Sequence, residues 1–439
     1  MGKYLKVTPP KRGSKITVAK NGQLQVPDDP IVPFIQGDGI DKVTWEACQN
    51  VFEQAVDQCY GNAKRLEWME VYAGERGNEV YGPNNWLPED TIRGIQEYKV
   101  CLKGPLTTPV GMPIQLDTNL RERLDLFARV VPVRYVDGIP TPLQAANELN
   151  IVLFREHTED QYSEIEWKKG SPEAKQIINY INNEMNKKPA RTIRPDSSVG
   201  VKPVSATATK RVVRMAIDYA LKHKRKSVTF VHRGNYMKFT EGFFRDWGYE
   251  LARKEFNEYC VTEQQIAEEY NGVPPVGRII LRDRLAEDAM RDFITGQGDY
   301  DVIATTNLTA DCLIEVAKTV IGNIDVVPTA YIGAKAAIFQ ANLEGSSRFV
   351  EEEGVNPSSV LLAGVMLFEH LGWRDAAELI AASLVRTVSN NTVTPDIARL
   401  VEGAEVVRTS EFCDLVVDNF EEVRKSRVQK AMQRAASTF

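Results

Sequence analysis

The chain has 439 residues, too many for one small core, so two or three domains or lobes are expected. Hydrophobic residues at 43% and charged residues at 26% suit a globular enzyme, and a net charge of −6 argues against a nucleic-acid binder and for a small-molecule partner. No apolar run reaches membrane-span length, and residues 1–30 are basic and polar without the apolar core of a secretory signal, so a cytoplasmic protein without membrane association is expected.

Taken in order, residues 15–26 alternate apolar and polar side chains around Asn21-Gly22, the pattern of a hairpin. Residues 31–35 read as a buried strand running into Gly37-Asp38-Gly39-Ile40, a turn whose glycines allow close approach of backbone or ligand. Such a turn alone is more often only a turn. Helical spacing over 44–58, a strand at 66–72, a helix at 88–98 and a strand at 100–103 follow. Alternation at this spacing predicts an α/β fold with a mostly parallel sheet covered by helices.

Next comes Lys103-Gly104-Pro105-Leu106-Thr107-Thr108-Pro109-Val110-Gly111, where two prolines and two glycines fix the backbone and two hydroxyls stay open to a polar ligand. A helix at 116–124 carries Arg121 and Arg123. The 151–154 strand runs into Arg155, able to bind a carboxylate bidentately, and then to Tyr162, a phenol suited to proton transfer. Residues 170–200 are too polar to make a core alone and read as an arm that a partner subunit completes.

Beyond the arm, helix 207–221 precedes a strand at 227–231 that ends in His232-Arg233-Gly234-Asn235, and 238–255 is helical again. Residues 257–276 read as a polar excursion, 278–281 as a strand with Asp283 at its exit, and 285–293 as a helix. The 301–304 strand leads through Thr305-Thr306-Asn307 into a helix over 308–320, where Asp311 and Glu315 lie four apart on one face. Carboxylates at a strand exit suit a hard divalent cation, although a solvated acidic pair is the commoner outcome for two such residues alone. Helices at 360–371, 374–385 and 411–434 close the chain. Six cysteines are scattered without a C-x-x-C pair, which predicts reduced thiols.

Residues 103–111 (KGPLTTPVG), 154–167 (FREHTEDQYSEIEW), 231–249 (VHRGNYMKFTEGFFRDWGY) and 301–311 (DVIATTNLTAD) resemble the bacterial NADP-dependent isocitrate dehydrogenases, of the isocitrate/isopropylmalate dehydrogenase family, in register over nearly the whole chain. The resemblance implies two lobes around a mostly parallel sheet core with a dimer clasp arm. The large lobe would be 1–127 and 322–439, the small lobe 128–160 and 207–321, and the clasp 161–206. It implies a homodimer with shared active sites and oxidative decarboxylation of isocitrate to 2-oxoglutarate, with NADP and Mg2+ or Mn2+ as cofactors. By the same resemblance Arg121 and Arg155 bind substrate carboxylates, and Tyr162 protonates the enolate. Asp283, Asp311 and Glu315 are metal ligands. Thr107, Asn235, Arg348, Asn356 and Arg399 contact the dinucleotide.

The chain departs from the family at ligand positions. Arg233 stands in place of the catalytic lysine, and a guanidinium cannot serve as a base. Val131 replaces a third substrate arginine, and segment 112–119 lacks the family's serine and asparagine. Leu343-Glu344-Gly345-Ser346-Ser347 replaces the adenine loop, Arg348-Phe349 replaces Lys-Tyr, Lys335 replaces a glutamate and Pro395 a tyrosine. Two alternatives therefore stand beside the family reaction. One is a paralogue acting on a related hydroxy-polyacid, such as a phosphonate or substituted malate, and the other is a non-catalytic binding or regulatory homologue. His157, His223, His232 and His370 match no family role.

Overall fold

The computed structural model describes residues 4–19, 22–112, 115–136, 141, 143, 149–185, 192–322, 326–342, 354–398 and 401–436, with side chains as far as 426. The chain divides into two compact units, the first being Met1–Val152, Arg291–Gly298 and Ile314–Phe439, the second Leu153–Met290 and Asp299–Leu313.

In the first unit Ile31–Ile35 lies parallel to Glu67–Glu70 on one side and to Val100–Lys103 on the other. Val100–Lys103 is parallel to Ala337–Gln340, which turns back antiparallel to Thr329–Ile332, itself antiparallel to Ala128–Arg134. All four residues of Val100–Lys103 are buried, as expected of a strand covered on both faces. The Lys42–Tyr60 helix starts where the Asp41 carboxylate accepts the Thr44 N–H and hydroxyl, both at 2.8 Å, a cap that contributes about 1 kcal/mol. Its apolar face, Trp45, Cys48, Phe52 and Ala55, recurs at helical spacing and packs with Ser358–Leu371, Arg374–Ser389 and Thr409–Ala436. Phe52 meets Phe368 edge-on at 5.7 Å. The ring needs glycine at 364, where a Cβ would lie 2.2 Å from it. Burying one such phenylalanine contributes roughly 1.5–3 kcal/mol. The expected hairpin is present as Thr17–Val18 against Leu24–Gln25, while Asn21 of its turn lies outside the described residues.

In the second unit Cys260–Thr262, Ile279–Leu285, Ser227–His232 and Val302–Thr305 are parallel neighbours in that order, followed by Asn150–Glu156. All six residues of Ser227–His232 are buried. Ala206–Lys222, capped by the Ser205 hydroxyl on the Ala208 N–H at 3.1 Å, and Glu241–Glu255 pack on this sheet. Two expectations are corrected. Residues 257–276 contain the Cys260–Thr262 strand and the Glu263–Glu269 helix, the latter opened by a reciprocal cap between Thr262 and Gln265. A three-residue edge strand is too short to show a period. The strand expected at 278–281 extends over Ile279–Leu285, so Asp283 lies inside it opposite Phe230, not beyond its end. Parallel pairing overrides the poor strand propensity of Arg282-Asp283-Arg284.

The arm contains an antiparallel pair, Glu166–Trp167 with Val199–Gly200, and the Pro172–Tyr180 helix, capped by Ser171. Among the described residues no helix is long and apolar enough to cross a membrane.

Candidate active site

Arg155, at the buried end of its strand, donates Nε to Asn307 Oδ1 at 2.7 Å and pairs through Nη1 with Asp311. The Tyr162 hydroxyl donates to the other Asp311 oxygen at 3.0 Å, and the Arg155 guanidinium lies 5.5 Å from the Tyr162 ring centre. Sequence positions far apart thus converge because Arg155 ends one strand, Tyr162 sits in the turn after it, and Asn307 opens the Asn307–Val320 helix. Partial desolvation, then the hydrogen bond to Asp311 and its charge, push the Tyr162 phenol above its ordinary pKa. It therefore holds its proton at neutral pH. Glu315, one turn beyond Asp311 on that helix, accepts from Lys318 at 3.0 Å.

A buried charge cluster supports this group, and nothing in the sequence distinguished its members from surface charges. Lys202 pairs with Asp160 and, at 2.8 Å, with Glu241. Asp160 is 1% exposed and Glu241 fully buried. Asp160, in the left-handed region at φ 77°, also accepts the Leu308 N–H at 2.9 Å. Glu241 accepts the Thr306 hydroxyl at 2.8 Å and the Arg233 N–H at 3.1 Å. One lysine thereby ties together the turn carrying Tyr162, the helix carrying Asp311 and the backbone of Arg233. The Arg233 side chain pairs with Glu287 at 3.2 Å. Asn235 is exposed, its Oδ1 accepting the Tyr236 N–H at 3.1 Å.

Asp283 accepts from the Tyr249 hydroxyl at 2.8 Å and lies 3.1 Å from His232 Nε2. Burial raises its pKa, but these two partners outweigh burial and hold the carboxyl below its ordinary value. His232, left without a role by the sequence, is thus a direct partner of a candidate metal ligand. Among the described residues no three His, Cys, Asp or Glu side chains converge on one point. Asp283, Asp311 and Glu315 are hard oxygen donors that fit Mg2+ or Mn2+ in kind.

In the first unit the Asp38 carboxylate accepts the Thr107 N–H at 2.6 Å and the Glu75 N–H at 3.1 Å. Burial, partly offset by these amides, raises its pKa. Buried Lys103 donates to the Gly104 carbonyl at 2.9 Å and pairs with Asp117 at 2.8 Å. Gly37, at φ +85°, and Gly104 allow the two turns to touch. A Cβ on Gly37 would lie 2.4 Å from the Pro105 carbonyl oxygen, and one on Gly104 2.0 Å from that of Gln36. The loop presenting Thr107 is therefore packed tightly against the Gly37 turn. Arg121 donates to the Thr118 hydroxyl at 3.0 Å. Asn356 is buried, its Oδ1 accepting the Ser358 N–H at 2.9 Å and its amide nitrogen donating to Asp396 at 3.2 Å. Arg348, Arg399 and 343–347 lie outside the described residues.

A family model described as isocitrate/isopropylmalate dehydrogenase matches residues 31–416. The chain belongs to this family. It is 45% identical to the NADP isocitrate dehydrogenase of Archaeoglobus fulgidus, covering 95% of this chain and 99% of that one. It is 40% identical to the NADP isocitrate dehydrogenase of Pseudomonas aeruginosa, over 94% and 99% of the two chains. The crystal structure of isocitrate dehydrogenase from Methylococcus capsulatus superposes with a TM-score of 0.67 at 28% identity, covering 89% of this chain and 99% of that one. The α/β fold with a mostly parallel sheet is thus that of the isocitrate/isopropylmalate dehydrogenases.

Proposed function

We propose that the protein oxidises and decarboxylates isocitrate to 2-oxoglutarate with NADP, as a cytoplasmic homodimer with a clasp formed by 161–206. The observation that carries this reading is the joining of Arg155, Asp311 and Tyr162 in one cluster. It combines a cationic carboxylate anchor, a hard metal-type ligand and a phenol that keeps its proton. Arg155 and Arg121 hold substrate carboxylates by charge-assisted hydrogen bonds. Tyr162 delivers its proton from the phenol oxygen to the carbon that has lost carbon dioxide. Arg233 offers a guanidinium that orients an anion, and the hydroxyl proton passes to solvent water as the hydride leaves.

A Mg2+ or Mn2+ ion held by Asp311, Glu315 and Asp283 of the partner subunit would supply Lewis acidity at the substrate hydroxyl. NADP, beside Thr107, Asn235, Arg348, Asn356 and Arg399, would accept the hydride. One observation supports the dimer. Phe239, Phe243 and Trp247 form a surface row with ring separations of 5.8 and 5.3 Å, and Phe239 and the preceding Tyr236 are 78% and 84% exposed, a patch that a second copy would cover.

The test is thermal stability of the purified protein with NADP and with NAD, each with and without isocitrate and Mg2+, alongside NADPH formation. An NADP-dependent rise in melting temperature, enlarged by isocitrate and Mg2+, is expected. No shift with either dinucleotide at millimolar concentration would remove hydride transfer from the reading.

A further inference from the structure

Two arginines of the first unit lie over one ring. The Arg121 guanidinium is 5.1 Å and that of Arg129 5.8 Å from the centre of Tyr331. The strand register explains the second. Arg129 sits directly opposite Tyr331 in the antiparallel pair, so both side chains leave the sheet on the same face. Val131, two residues along the strand from Arg129, shares that face and is fully buried. The Arg129 side chain leans toward Thr329, its Nη2 3.5 Å from that hydroxyl, too long to be a strong hydrogen bond. Its Nε is buried and has no hydrogen-bond partner. Among the described residues neither Arg121 nor Arg129 has a carboxylate partner, whereas buried Lys103 and Lys202 of this chain each have one.

Two guanidiniums beside a buried ring, one with a buried Nε–H that has no hydrogen-bond partner, form an arrangement whose repulsion and desolvation an entering anion would relieve. We propose that Arg129 and Arg121 together form a subsite for one carboxylate of a tricarboxylate substrate, with Arg129 setting the preference for three carboxylates over two. The inference rests on the proposed hydroxy-polycarboxylate site, and it assigns to Arg129 the task that apolar Val131 cannot perform. Tyr331 lies within cation–π reach of both guanidiniums and so keeps the two cations near one ring.

The test uses the full chain with Mg2+ and compares dissociation constants from thermal-shift titration for propane-1,2,3-tricarboxylate and butanedioate, in wild type, Arg129→Gln and Arg129→Lys. Arg129→Gln should weaken the tricarboxylate by about 10- to 100-fold and leave the dicarboxylate within roughly twofold, with Arg129→Lys between. Equal constants in wild type and Arg129→Gln, or no tricarboxylate binding to wild type, would overturn the assignment. A fall in ligand-free melting temperature without a change in either constant would make Arg129 structural and overturn it too. Should Arg129→Gln not fold, Arg129→Lys carries the comparison. Isocitrate turnover separates the two readings. Turnover that is unaffected by Arg129→Gln keeps the dehydrogenase and removes the subsite. Arg129-dependent tricarboxylate binding without turnover keeps the subsite and removes the dehydrogenase.

Discussion

His232 presents Nε2 to Asp283 at 3.1 Å while its Nδ1 accepts the Gly234 N–H at 2.9 Å. A ring nitrogen that accepts carries no proton, so Nε2 bears it and donates to the carboxylate. One Asp283 oxygen is thereby fixed in direction by backbone geometry two residues from His232. His232→Leu should weaken Mn2+ binding by about 10- to 100-fold, as loss of an outer partner of a metal ligand does. Titration of the purified protein with Mn2+ measures this, and an unchanged affinity would take Asp283 out of the metal site.

Arg233 is held at both ends, its N–H by Glu241 and its guanidinium by Glu287. Lysine at this position would supply a group that, unlike a guanidinium, can give up a proton and act as a base. Arg233→Lys should raise kcat for isocitrate by roughly 100-fold or more and add a basic limb to its pH profile. Equal rates in the two proteins would show that proton removal does not depend on this position.

Lys202 neutralises two carboxylates that have almost no access to water. Lys202→Met leaves both buried without a cation and should cost about 3–5 kcal/mol of stability. Denaturant unfolding followed by tryptophan fluorescence reads this directly. A loss below about 1 kcal/mol would mean that water reaches Asp160 and Glu241 and that the cluster does not hold the turn, helix and Arg233 together.

At the first unit's edge, Asp90 accepts the Leu5 N–H at 2.6 Å, the Lys6 N–H at 3.0 Å and the Tyr81 hydroxyl at 2.7 Å. Burial raises its pKa, but these donors outweigh burial and set it below the ordinary carboxylate value. A depressed pKa means that the stabilisation is fully present above the unfolded value near 4 and fades as pH falls through the folded value. Protection of the Leu5 and Lys6 amides from hydrogen exchange, relative to an unstructured peptide at the same pH, should therefore be high at pH 5 and fall below pH 4. Asp90→Ala should remove it throughout, at a cost of about 3 kcal/mol.

Much of the framework was readable from local chemistry. Ile31–Ile35 and Val100–Lys103 are apolar runs closed by glycine-bearing turns, and the Asn307–Val320 helix keeps its apolar spacing throughout. The Ile279–Leu285 strand was hidden because three of its residues are charged and its identity comes from neighbours distant in sequence. Within the site, Arg155 and Asp311 are 156 positions apart, so only the family resemblance could place them together. Asp160, Lys202 and Glu241 carry no signal in the sequence, because a charge's burial depends on what folds over it. Arg129 carries no signal in the sequence, because register, not composition, sets it beside Tyr331.

The contact between the Gly37 and Gly104 turns leaves less room than a methyl group needs. Descendants of this chain that gain even alanine at either site must shift the loop bearing Thr107. Heritable change in ligand preference is thereby channelled away from that backbone and into exchangeable side chains elsewhere, of which the proposed subsite residue Arg129 is an example. The same fold could then persist while its substrates diverge, because the positions that cannot vary and the positions that choose the ligand are different residues.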